Sequence, residues 1–138
     1  MRISSRFSSL FATVALALAP LVCEAATSIT IDAKQNCLTN ILTTGVSGAT
    51  PAQFTLAPGR YVMSLTSNTM NCVLAGVCPI NSVLVQGGNA NAMFGISIQQ
   101  PTIVDVNNAA PTPFFAFVSD DVCSDNQGTA TLLIQTVN

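Results

Sequence analysis

The stretch FFAFVSDDVCSDNQGTATLLIQTV, residues 114–137, contains two apolar runs separated by a polar segment. The runs FFAFV (114–118) and TATLLIQTV (129–137) are rich in phenylalanine, threonine, valine and leucine or isoleucine, a composition typical of β-strands. Residues 119–128 between them supply Asp, Asn and Gly, which favour turns. The stretch therefore predicts two strands joined by a polar loop, and the same pattern recurs along the chain.

Further short runs elsewhere in the chain alternate apolar and polar residues in the same way. Gly, Pro, Asn and Asp separate these runs, and no stretch has an apolar face of helical period with caps at both ends. About eight evenly spaced strands without internal repeats predict an all-β domain, a two-sheet β-sandwich with jelly-roll-like topology. The runs are SITI (28–31), QFTL (53–56), RYVMSL (60–65), SVLVQ (82–86), MFGISI (93–98) and TIVDV (102–106).

The N-terminal segment has the organisation of a secretory signal peptide. Two arginines precede an apolar run from about Leu10 to Val22, and small residues follow it up to Ala26. The apolar run is shorter than the ~20 residues that a membrane-spanning helix needs, and no later run reaches that length. We therefore expect residues 1–26 to be removed, which leaves a single secreted or periplasmic domain over 27–138 with no membrane span.

The cysteines point to the same compartment. Cys23 lies in the predicted leader, and a lipoprotein would be cut just before it, but the bulky Val22 departs from the small residue expected there, so lipidation is disfavoured. The four remaining cysteines suit disulfides better than zinc, because no histidine accompanies them. Four cysteines allow three pairings. The preferred pairing joins Cys72 to Cys78, closing a short loop, and Cys37 to Cys123.

The domain over 27–138 has few charges. Two basic and five acidic side chains give it a net charge of −3, so nucleic acid and anionic lipid are not expected partners. It contains neither histidine nor glutamate. The usual pairs of a nucleophile and a histidine base are therefore absent, and only aspartates are left for acid-base chemistry. We therefore expect that the protein is not an enzyme. Asp32 and Asp105 are isolated and are expected on solvent-facing strand positions. The charged residues are Lys34, Arg60, Asp32, Asp105, Asp120, Asp121 and Asp125.

Three of the five carboxylates fall in SDDVCSDNQG, residues 119–128, here called the acidic loop. Like charges this close repel one another unless a cation lies between them, and aspartates also cap turns through the local backbone. Asp120, Asp125 and Asn126 offer the hard oxygen atoms that Ca²⁺ prefers, whereas an EF-hand is excluded because no glutamate ends the loop. A turn role and a metal site are both open from the residues alone.

Several segments resemble the bacterial galactophilic, calcium-dependent lectin family. FAFVSDDVCSDNQGTATLLI (115–134) is similar to the calcium-loop region of that family, and LAPGRYVMSL (56–65) is similar to its Pro-Gly-led strand. Cys72 and Cys78 followed by SVLVQGG (82–88) resemble its short cysteine loop and the next strand. The resemblance covers most of residues 50–137 and implies a sandwich that binds carbohydrate through Ca²⁺.

By this resemblance, the family's calcium-binding aspartate falls on Asp120, and its paired side-chain ligands fall on Asp125 and Asn126. A carbonyl ligand would come from residues 67–71, whereas the family's sugar-contacting histidine and glutamine loop has no counterpart. A calcium-dependent carbohydrate-binding module is therefore predicted. The alternative is a structural or adhesive extracellular subunit without a ligand site, whose strand TSITID (27–32) pairs with a neighbour's sheet edge, for example in a homo-oligomer.

Overall fold

The computed structural model describes residues 26–39, 49–72, 78–87 and 94–137. This part of the chain is all β, with nine strands and no helix. All eight predicted strands are present, and the ninth is a three-residue strand that the alternation did not predict. The strands are β1 (Thr27–Asp32), β2 (Cys37–Thr39), β3 (Ala52–Leu56), β4 (Gly59–Thr66), β5 (Val83–Gly87), β6 (Phe94–Ile98), β7 (Thr102–Val106), β8 (Thr112–Asp120) and β9 (Thr129–Thr136).

The strands form two sheets. One has the order β1-β9-β4-β7, and the other has the order β2-β8-β5-β6 with β3 also paired to β8. Along one edge of β8, β3 runs antiparallel to the first half of the strand and β2 runs parallel to the last three residues. With β2 set aside, the orders 1-9-4-7 and 3-8-5-6 are those of a jelly roll, which confirms the predicted architecture.

The strand registers bring four connections to one end of the sandwich. β1 and β4 end beside the start of β9, because Asp32 pairs with Thr129 and Thr66 with Thr131. The start of β2 pairs with the end of β8, and the start of β5 pairs with the end of β6. We call this the acidic end, because it carries the acidic loop together with the connections that follow β1, β4 and β6.

The core lies between the two sheets. Phe114 is fully buried, and its ring stacks on Phe54 with the ring centroids 5.7 Å apart. A Cβ atom at Gly87 would enter the Phe114 ring, so only glycine lets this ring lie against the backbone of β5. Tyr61 is buried too, and its hydroxyl donates to the carbonyl of Ala57 at 2.9 Å. The single tyrosine of the chain is therefore a packing residue.

Two disulfides join the cysteines in the preferred pairing, Cys37–Cys123 and Cys72–Cys78. The first closes a loop of 86 positions and fastens the start of β2 to the acidic loop. Loop-closure entropy makes a cross-link of that span worth about 4–5 kcal/mol. Disulfides indicate an oxidising extracellular or periplasmic environment. The predicted signal peptide up to residue 25, with Cys23, lies outside the described residues, and no helix among those described is long and apolar enough to cross a membrane.

Candidate functional site

The end of the acidic loop is fixed against the segment that follows β4. Gly128 has a φ of +83°, and a Cβ atom on it would collide with the backbone carbonyl of Thr69. The Thr69 amide and hydroxyl both donate to the Thr129 carbonyl, at 2.9 and 3.0 Å. Asn71 and Gln127 exchange backbone hydrogen bonds, both 2.9 Å long. The segment 67–71 therefore lies beside the acidic loop.

The turn after β1 lies against the same loop. The Oδ1 atom of Asp32 accepts hydrogen bonds from the backbone amides of Lys34 and Gln35, at 2.9 and 2.8 Å. The Ala33 amide donates to the Gly128 carbonyl at 3.0 Å, which holds the turn to the end of the acidic loop. Asp32 was expected as a solvent-facing strand residue. It is instead the half-buried last residue of β1, and its carboxylate caps a turn.

Asn126 is the most informative residue of the acidic loop. Its side chain is 3% exposed. The Nδ2 group donates to the Ala33 carbonyl at 3.2 Å and lies 3.3 Å from the sulfur of Cys37. The Oδ1 atom is buried and has no hydrogen-bond partner in the described part of the chain. A buried amide oxygen left in this state costs about 1–3 kcal/mol, so a water molecule or a cation bound to it would stabilise the fold.

Asp125 and Asn126 border an open groove of about 450 Å³ between the acidic loop and the turn after β1, here called the acidic groove. Asp125 is exposed, and Asp32 also lines the groove. Two carboxylates and an amide oxygen form a set of hard donors of the kind that binds Ca²⁺. The remaining lining residues are Lys34, Gln35, Ser124, Gln127 and Gly128.

Asp120, the third predicted ligand, is placed differently. It is the last residue of β8 and is not among the described residues that line the acidic groove. Its Oδ1 atom accepts a hydrogen bond from the Asp121 amide at 2.6 Å. Asp121 itself is exposed. Among the described residues, no three Asp, Glu, Cys or His side chains are grouped closely enough to hold a metal. Asp32, Asp125 and Asn126 therefore line one groove, whereas the Asp120 side chain contacts the local backbone.

An ion pair on the surface of the sandwich lies away from the acidic end. Arg60 of β4 and Asp105 of β7 are cross-strand partners, and two hydrogen bonds of 2.7 and 3.0 Å join the guanidinium to the carboxylate. These hydrogen bonds lower the pKa of Asp105 below its ordinary value. Asp105 is exposed, as the sequence predicts, and an exposed pair of this kind adds little stability. The pair balances its own charge and does not contribute to the acidic end.

The residue that sequence reasoning missed at this site is Asp32. The signal for it was present, because an aspartate at the end of a strand, shortly before polar residues, is typical of a side-chain-capped turn. What the sequence did not show is that the pairing of β1 with β9 carries this turn to the acidic loop.

Comparisons of the chain with protein-family models, with curated proteins and with solved structures found no match. The resemblance to galactophilic lectins therefore rests on the quoted motifs, and the fold and the site rest on the geometry of this chain.

Proposed function

We propose that the protein is an exported jelly-roll module that binds carbohydrate with the help of a Ca²⁺ ion at its acidic end. The observation that carries the proposal is the buried Oδ1 atom of Asn126, which has no partner among the described residues and belongs to a side chain bordering the acidic groove. Asp125 adjoins it in the chain, and Asp32 lines the same groove. A hard cation bound there would satisfy the orphaned oxygen, and the two carboxylates in the lining favour a cation at this place.

Two sets of ligands follow from these positions. Both contain Asp125 and Asn126, and they differ in the next carboxylate. The resemblance implies Asp120, whereas the groove contains Asp32. Ca²⁺ takes about six to eight oxygens, so backbone carbonyls and water would complete either set. Replacing Asp32 or Asp120 by Asn separates the two sets, since Asn removes the charge and keeps the oxygen that accepts the local backbone bonds.

The carbohydrate part of the proposal is supported by the shape and composition of the acidic groove. Its volume of about 450 Å³ falls within the range of small-molecule sites, about 300–1,000 Å³. Gln35, Ser124 and Gln127 add amide and hydroxyl groups beside the carboxylates. Such groups both donate and accept hydrogen bonds, as sugar hydroxyls require. A cation in an open groove can also bind the hydroxyls of a ligand directly.

The test is a glycan array probed with the mature protein in buffer containing Ca²⁺ and in buffer containing a chelator. We expect binding to a defined group of glycans that the chelator abolishes and that added Ca²⁺ restores. The Asp121→Asn variant, which changes the same charge at an exposed position of the same loop, should bind like the wild type. Absence of glycan binding in both buffers would contradict the proposal.

A different observation favours a structural or adhesive subunit. β1 lies at the edge of its sheet, and its outer edge pairs with none of the described strands. From Thr27 to Ile31 the strand has neither a charged residue nor a proline, the usual protection of an exposed edge. If this edge joins copies of the chain, Thr30→Lys should convert an oligomer into a monomer in size-exclusion chromatography with light scattering. A monomeric wild type across the accessible concentration range would exclude self-assembly through β1.

A further inference from the structure

The acidic end contains a second groove of different chemistry, here called the amide groove. It has a volume of about 400 Å³ and shares no lining residue with the acidic groove. It is formed by the end of β4, by both ends of the connection from β4 to β5 and by the connection after β6. Four of its five lining side chains are carboxamides. The lining residues are Leu65, Asn68, Asn81, Gln99 and Gln100.

One of these carboxamides is fixed by the fold. The Nδ2 group of Asn68 donates to the Ile80 carbonyl at 2.8 Å, and its Oδ1 atom accepts from the Met70 amide at 3.0 Å. The preceding residue, Ser67, has a φ of +51°, a backbone conformation that costs a residue other than glycine about 1–3 kcal/mol. Asn68 therefore builds one wall of the groove.

The other three carboxamides face solvent. Asn81, Gln99 and Gln100 are exposed, and their side chains make no hydrogen bond to any part of the chain that the structure describes. Each carboxamide has two donor hydrogens and an acceptor oxygen close together. Together with the half-buried Leu65, three such groups give the groove a lining that donates and accepts hydrogen bonds and contains one apolar side chain.

This composition restricts the class of ligand. No charged side chain is among the lining residues, so an ionic ligand would find no counterion there. A purely apolar ligand would remove water from the amides without replacing their hydrogen bonds, which is unfavourable. A neutral polyhydroxylated ligand matches both features, because its hydroxyls each donate and accept and its C–H face can cover Leu65.

We infer that the amide groove is a calcium-independent binding site for a neutral sugar unit, held by hydrogen bonds to Asn81, Gln99 and Gln100. The inference rests on the carbohydrate half of the proposed function and not on the metal. The two grooves are separate cavities, but the segment after β4 borders both regions, since Asn68 lines the amide groove and its neighbour Thr69 lies against Gly128 of the acidic groove. A glycan of more than one unit would then meet two sites at the same end of the sandwich.

The experiment is an NMR titration of the mature, disulfide-bonded protein in the presence of a chelator. The probes are the methyl glycosides of glucose, galactose and mannose at millimolar concentration, the range in which a single small sugar binds with about −4 kcal/mol. We expect saturable shifts of the side-chain amide signals of Asn81, Gln99 and Gln100 with at least one glycoside. The double variant Gln99→Ala/Gln100→Ala should bind at least about tenfold more weakly, the loss that two hydrogen bonds predict. Gln53→Ala, at an exposed position of β3 outside the groove, is the matched control and should bind like the wild type.

Two results would overturn the inference. The first is saturable binding that the double variant leaves unchanged. The second is the absence of any shift at these amides in the chelator. If glycosides then bind only after Ca²⁺ is added, and Asp125→Asn abolishes that binding, the amide groove is excluded while the proposed calcium-dependent function stands. If the amide signals shift in the chelator and Ca²⁺ changes nothing, the amide groove is supported and the metal part of the proposed function fails.

Discussion

Calcium should stabilise the folded protein, and Asp125→Asn should remove most of that stabilisation. A ligand that binds only the folded state adds RT ln(1 + [L]/Kd), about 2.7 kcal/mol at a hundredfold excess over Kd. A variant whose Kd is raised a hundredfold would gain only about 0.4 kcal/mol under the same conditions. Asp125 is exposed, so in chelator the substitution should change stability by no more than about 0.5 kcal/mol. The calcium-dependent stabilisation of the wild type therefore exceeds that of the variant by about 2.3 kcal/mol. For a domain of about 110 residues this corresponds to roughly 10 °C in melting temperature.

The assay is thermal unfolding followed by circular dichroism, for wild type and variants, in Ca²⁺ and in chelator. Asp121→Asn is the matched control, because it removes the same charge from an exposed position of the same loop. It should keep the calcium response and report how much stability the relief of charge repulsion contributes by itself. Asp32→Asn and Asp120→Asn then show which carboxylate completes the ligand set. Identical wild-type melting temperatures in millimolar Ca²⁺ and in chelator would refute the metal site.

Further measurements test the fold around the site. Gly128→Ala should lower the free energy of unfolding by more than about 2 kcal/mol in urea titrations. Alanine is strained at a φ of +83°, and its Cβ would collide with the Thr69 carbonyl. Gly95→Ala is the control and should change the free energy of unfolding far less, because a Cβ there meets only ordinary contacts. Replacing Cys37 and Cys123 together by Ala should cost about 4–5 kcal/mol, and equal urea midpoints of this variant and the oxidised wild type would contradict the entropic estimate. The carboxyl of Asp105 should titrate below its ordinary range by NMR. Because its folded pKa is the lower one, its contribution to stability is present above the unfolded pKa and is lost as the pH falls through the folded pKa.

The alternation of apolar and polar residues was enough to predict most of the fold. In β5 every second residue is buried, and in β3 and β7 the same face has one half-buried and then two buried residues, as a strand with one face on the core requires. β2 escaped prediction because three residues, Cys37–Thr39, are too few to show a period. That strand forms because the connection from β1 delivers it to the end of β8, in a parallel pairing between residues far apart in the chain.

The site was predictable only in part. Asp125 and Asn126 adjoin in the sequence, so their pairing at one groove needed no knowledge of the fold. The burial of Asn126 depends on Ala33 and Cys37, which lie 93 and 89 positions away. Composition and compartment predicted that the four cysteines form disulfides. The choice among the three possible pairings depends on the fold, which brings Cys37 beside Cys123.

The sequence alone determined the local features of the chain. These are its strands, its turns, its small number of charged residues and the oxygen-rich acidic loop. Side-chain alternation and turn propensity act over a few residues, so the sequence displays them directly. The tertiary structure alone decided which loops meet. It brought Asp32 to the acidic loop through the pairing of β1 with β9, and it gathered Asn68, Asn81, Gln99 and Gln100 from two connections, β4–β5 and β6–β7, into one groove. These groupings depend on strand order and register, which the packing of two sheets around one core fixes and which no short stretch of sequence contains.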